Sequence, residues 1–305
     1  MVHKIGKLFF CYFLSYATFF HIRIFTFATI IKTIIYYNMN RNKINEIMGS
    51  LNDYPEVKEN RSLFENYYEA FIGNSPTKKE DKILEMLKRR LFVPSILPIN
   101  KNGILIVGAN PSYSEKEGKK DEKQNFMKTT KELYKPDQGH WTEVAKIACI
   151  TNKHQAAYLD LFPVKQTSLS EFEKVFRQSG DIRARMLQIT HKRMLEIKPR
   201  VIINYFAMTS YYWGFKADKP DYSNEKNPWM GYKFKKVEAD GLDAYQIIGW
   251  TDSDASVLPN NANERLAKGT YVIFSTRSWN KDVREKKMVD DVKLNKFLKV
   301  HDIQL

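Results

Sequence analysis

Gly103-Ile104-Leu105-Ile106-Val107-Gly108-Ala109-Asn110-Pro111-Ser112-Tyr113 constrains this chain more than any other stretch. Four consecutive β-favouring apolar residues, with Ala109 beyond a glycine, predict a short strand buried on both faces. Pro111 has no N–H for a ladder and fixes its own φ, so the chain must leave the sheet at Asn110. A polar side chain is thereby set at the carboxyl end of a central strand. Open α/β sheets bind their ligands at that edge.

Other segments repeat the theme. Ala156 to Pro163 predicts a second strand, ended by proline with Asp160 near its end. Arg200 to Phe206 predicts a third, after a helix from Asp181 to Ile197 that Lys198-Pro199 terminates. Thr270 to Phe274 predicts the last, running out into Ser275-Thr276-Arg277-Ser278-Trp279. Between them, Ser168-x-x-Glu171 and Ser170-x-x-Glu173 each offer a capping box for a helix toward Gln178. Alternating runs at Tyr232 to Glu238 and Ala244 to Trp250 flank Asp240-Gly241, a hairpin signal. A short apolar helix is expected over Trp141 to Thr151, and a basic amphipathic helix from Lys281 to Val300. Helical spacing also marks 59–73 and 77–92, while Ser114 to Lys131 reads as a mobile polar loop with partial helix.

Strands alternating with helices predict an α/β fold: a three-layer sandwich around a mainly parallel, four-stranded sheet. One domain over 39–305 is expected, with a helical portion at 39–100. Residues 1–38 stand apart. They hold Lys4, Lys7, Arg23 and Lys32 and no acid, and are expected to be either sequence upstream of a true start at Met39 or a hydrophobic leader. The net charge of +14 suits a polyanionic partner such as nucleic acid. With only Cys11 and Cys149, and six scattered histidines, no disulfide framework, metal site or cofactor is expected. A GxSxG elbow and a GxxxxGK[ST] loop are both missing, which argues against a serine hydrolase and a P-loop enzyme. A cytoplasmic monomer is the simplest expectation.

In a parallel sheet Asn110, Asp160 and the Ser275 to Ser278 turn leave by one edge and can converge on one cleft. Val107-Gly108-Ala109-Asn110-Pro111-Ser112 resembles the first motif of the uracil-DNA glycosylase superfamily, whose mismatch-specific and single-strand-selective branches read G-[IM]-N-P-G. Asp160-Leu161-Phe162-Pro163-Val164 resembles the strand end that reads N-x-C-P-L in the single-strand-selective branch, and the last strand sits where an H-P-S-P motif would be. The resemblance implies hydrolysis of the N-glycosidic bond of a damaged or deaminated base in DNA, with no cofactor. Asn110 would hold the water, and Gly108, Ala109, Pro111 and Ser112 would form the pocket floor. Asp160 and Phe162 would meet the flipped base, Phe126 (or Tyr113) would stack on it, and Trp279 would fill the vacated position.

Two departures stand out. The Ser275 to Ser278 turn has no histidine, so Arg277 or a hydroxyl such as Thr276 would have to stabilise the departing base. Asp160 stands where an amide is expected, and an ionised carboxylate cannot donate to a uracil carbonyl. A catalytically inactive nucleic-acid-binding relative, or an unrelated α/β nucleotide-binding protein, are the alternative readings.

Overall fold

The apolar runs of the sequence become the strands of one mixed sheet. The computed structural model describes residues 103–111, 144, 147, 156–176, 180–206, 209–215, 228–251, 256–275 and 288–305. All of them lie in one compact unit of the chain, Leu51–Leu305. The segments 1–38, 59–73, 77–92 and 114–131 lie outside the described residues.

The strands are β1 (Ile104–Gly108), β2 (Ala157–Asp160), β3 (Val201–Asn204), β4 (Tyr232–Lys236), β5 (Ala244–Trp250) and β6 (Tyr271–Phe274). The helices are α1 (Leu169–Phe176), α2 (Gly180–Ile197), α3 (Ser210–Trp213) and α4 (Asp291–Val300). The order across the sheet is β2-β1-β3-β6-β5-β4. Neighbours among the first four pair in parallel, whereas β5 pairs antiparallel with both β6 and β4.

The expected four-stranded sheet is therefore corrected to six strands. The hairpin does not stand apart from the sheet: Ala244, Tyr245 and Gln246 pair with Ile273, Val272 and Tyr271. Aromatic packing explains the attachment, because Phe234, Tyr245 and Phe274 gather around Phe215, with ring centroids 4.6 to 6.3 Å from it. The Asp240-Gly241 signal is realised as a type I′ turn. Both residues have positive φ, 46° and 84°, and Leu242 N–H donates to Ala239 O.

Ile104 and Ile106 join Val201, Ile203, Ile273 and the α4 side chains Leu294, Phe297 and Leu298 in one core cluster, together with Val144 and Ile147 of the predicted Trp141 helix. Leu105 and Val107 project from the opposite face and are equally buried. With both faces covered, β1 needs an unbroken apolar run and not an alternating one. On that second face Asn204 is fully buried. Its Oδ1 accepts from Thr209 Oγ1 (2.9 Å) and Trp213 Nε1 (3.2 Å), and its Nδ2 donates to Phe206 O (2.9 Å), which fastens α3 to the strand end.

Ser168 is the cap chosen for α1, its Oγ accepting from Glu171 N at 3.2 Å. The terminal helix begins at Asp291, ten residues later than the basic pattern from Lys281 suggests. Asp290 takes the N-cap, accepting from Lys293 N at 2.8 Å, and residues 288–290 before it are not helical.

Candidate active site

The β1–β2 register sets Gly108 beside Asp160 and Ile106 beside Tyr158. Tyr158 and Asp160, two apart on one strand, leave the same face, and Tyr158 OH donates to Asp160 Oδ1 at 3.2 Å. The carboxyl lies flat against Gly108. A Cβ on that glycine would sit 2.0 Å from Asp160 Oδ1 and 2.4 Å from Tyr158 OH. Gly108 is thus required by close approach, not by a special φ.

Burial dominates the electrostatics here. It pushes the Asp160 carboxyl up to about 7, against the opposing pull of the Tyr158 hydrogen bond. Burial, reinforced by the Asp160 charge, also raises Tyr158 well above the usual phenol range. Near neutral pH both protonation states of Asp160 are populated. The neutral form donates as well as accepts, so the donor missing from an ionised carboxylate is restored for part of the population.

Gly108→Ala is expected to lower the free energy of unfolding by about 1–3 kcal/mol, because the new methyl must displace the Asp160 and Tyr158 tips. Denaturant unfolding in an Asp160→Ala background should show a smaller loss. An equal loss in both backgrounds would mean that the carboxyl is not what the glycine accommodates.

Asn110 follows two residues on. Its Nδ2 donates to Pro111 O and to Gln166 O, each at 3.1 Å, and Gln166 N–H in turn donates to Pro111 O at 2.9 Å. Both amide hydrogens are engaged by carbonyls, so Oδ1 is the group left to act. It accepts no hydrogen bond among the described residues, and the side chain is only part-buried. Pro111 O and the chain past Val164 hold this amide in one orientation.

The structure separates the other expected residues. Ala109 and Pro111 form the exit loop itself, Ala109 O accepting from Phe162 N and Pro111 O from Gln166 N. Phe162 is fully buried, stacked on Phe172 at 4.4 Å and edge-on to Tyr212 at 4.8 Å, so its ring belongs to the core beneath α1 and α3. Ser275 is also fully buried, and its Oγ accepts from Val289 N at 3.0 Å, tying the β6 exit to the approach to α4. Ser112, Phe126, Thr276, Arg277, Ser278 and Trp279 lie outside the described residues.

Two further polar residues stand on the parallel strands. Tyr158 was legible, since strand alternation puts it on the Asp160 face. Asn204 ends β3 as Asn110 follows β1, but its side chain is consumed by α3. Among the described residues no three His, Cys, Asp or Glu side chains gather to hold a metal ion, and no helix is long and apolar enough to cross a membrane. The fold is α/β with a mixed six-stranded sheet, and the site is an amide and a raised carboxyl at one strand edge. No protein-family model matches this chain, and comparison with curated proteins finds no match either.

Proposed function

We propose that the chain is a uracil-DNA glycosylase-like hydrolase, a three-layer α/β sandwich that cleaves the N-glycosidic bond of a damaged or deaminated base in DNA. The observation that carries this reading is the Asn110 amide. Its two N–H groups are held by Pro111 O and Gln166 O, and its oxygen is left as an acceptor at the carboxyl edge of β1. An oxygen so placed can accept from a water and aim its lone pair at a sugar carbon. Glycosidic cleavage through an oxocarbenium-like state needs a positioned water more than a strong base.

The neighbouring Asp160 carboxyl reads the flipped base, donating to a ring carbonyl when neutral and accepting from a ring N–H in either state. Arg277 or Thr276 takes the leaving-group role. The net charge of +14 favours the phosphate backbone, and the protein works as a cofactor-free monomer in the cytoplasm.

The test incubates the full chain with oligonucleotides carrying uracil, hypoxanthine or xanthine and scores alkali-labile abasic sites. Asn110→Ala is expected to slow cleavage by about 100-fold or more. DNA that binds with a salt-dependent affinity yet never gains abasic sites would replace the hydrolase with a silent DNA-binding protein. Loss of both activity and binding at low salt would remove either reading.

A further inference from the structure

A cleft of about 650 Å³ opens at the opposite, amino edge of the parallel strands, between the ends of α2 and α4 and the loop entering β6. Its size falls within the roughly 300–1,000 Å³ of small-molecule sites. Lys198, Arg200 and Lys268 line it and are exposed, while Asp302 is the single carboxylate on its wall. Behind them lies Arg265, 4% exposed.

Arg265 is an unusual group to find there. Its Nε donates to Pro259 O, one Nη1 hydrogen to Met230 O, and Nη2 to Ser256 Oγ and Leu258 O. These account for four of its five N–H donors, and the fifth, on Nη1, has no acceptor among the described residues. Nor does any carboxylate there form an ion pair with it; the adjacent Glu264 is exposed. Thr270, 5% exposed and also on the cleft wall, has a hydroxyl that makes no hydrogen bond among the described residues. The Glu264 carboxylate favours the Arg265 charge without pairing with it, so the positive potential is only partly neutralised and an anion in the cleft would complement it.

We infer that this cleft binds a phosphate-bearing ligand, held by Lys198, Arg200 and Lys268 over the Arg265 charge with Thr270 as a further hydrogen-bonding group. Guanidinium and ammonium groups around a hydroxyl are the donor set that phosphate oxygens take. The site lies at the edge away from Asn110, so it is independent of the glycosylase reading. The phosphate can belong to a free nucleotide-like anion or to a nucleic-acid backbone.

Calorimetric titration of the full chain with pyrophosphate, and separately with a short single-stranded oligothymidylate, tests the inference at low salt. Saturable binding by at least one probe is expected. Lys198→Glu with Lys268→Glu should weaken it by about tenfold or more, and Thr270→Val by about threefold without any change of charge. A control pair on β4, Lys233→Glu with Lys235→Glu, makes the same change of charge away from the cleft and should leave binding within about twofold. Pyrophosphate as the responding probe identifies a small-molecule site, and the oligonucleotide alone identifies a backbone contact. No saturable binding by either probe, or equal weakening by the control pair, overturns the inference.

Discussion

Arg265→Leu is expected to lower the free energy of unfolding by about 3–5 kcal/mol, measured by denaturant titration, through the loss of a buried hydrogen-bond network. The guanidinium joins three stretches of chain outside the sheet: Met230 ahead of β4, Ser256 to Pro259, which a single β-bridge at Ser256 holds to Trp229, and the turn that carries Arg265 itself. Leucine fills much of the volume but leaves three carbonyls without their charged donor, and the single Ser256 hydroxyl proton can serve only one of Met230 O and Leu258 O. A charge-assisted hydrogen bond contributes about 1.5–3 kcal/mol, and an orphaned buried acceptor costs a comparable amount. The aliphatic gain from leucine offsets only part of that. The guanidinium also lies 5.8 Å from the Tyr232 ring centroid and 5.9 Å from that of Trp250, contacts that the variant loses as well. Arg265→Lys should fall between wild type and leucine, because an ammonium keeps the charge but cannot reproduce a planar fork that reaches three carbonyls at once. A loss below about 1 kcal/mol for leucine would show that water replaces the guanidinium at no cost, and that the loop does not depend on it.

Such a residue is hard to foresee from sequence, and the reason is physical. Thr251 to Lys268 is polar and reads as a solvated loop; only the folded chain wraps Met230 and Leu258 around one of its cations. The parallel strands were legible because burial on both faces demands the unbroken apolar runs at Ile104, Val201 and Tyr271. Their polar exits were legible because Pro111 and Pro163 interrupt the ladder. The Ser168 cap and the Asp240-Gly241 turn are local chemistry, and local chemistry survives folding intact. What failed was long-range or competitive. The hairpin alternation says that β4 and β5 pair with each other but not that β5 also pairs with β6. Phe162, beside Asp160 in sequence, turns to the opposite side and stacks on Phe172, a choice made by α1. The Lys281 run suggests a helix, yet Asp290 offers the N–H acceptor that starts the described one. At the candidate site the pieces could be named from sequence. That Gly108 is the seat of the Asp160 carboxyl required the register.

Two titratable groups of this fold, His191 and Asp160, pull stability in opposite directions with pH, and removing either should expose the other. His191 is buried, and its Nε2 lies 2.6 Å from Tyr232 OH. Tyr232 OH also accepts from Leu266 N, so the phenol and the imidazole are locked into one buried network. Burial, aided by the Arg265 charge, lowers the imidazole from 6.5 to about 3. Between those values the unfolded chain binds a proton that the native chain does not, so His191 makes stability fall as pH falls. Asp160 has the reverse sign. Burial raises it from 3.8 to about 7, so the native chain binds the extra proton across that window and Asp160 makes stability rise as pH falls. Each slope is about 1.4 kcal/mol per pH unit, trimmed for Asp160 by its partial contact with solvent. Over the shared window from 6.5 to 3.8 the two largely cancel. Asp160→Asn is therefore expected to lose up to about 4 kcal/mol relative to wild type across that acid window, and His191→Gln to gain by a similar amount. Referring each variant to wild type at the same pH removes every group common to both. Parallel pH profiles for wild type and Asp160→Asn would mean that the carboxyl against Gly108 stays ionised in the native protein, and the donor role given to it at the strand edge would fall with that result.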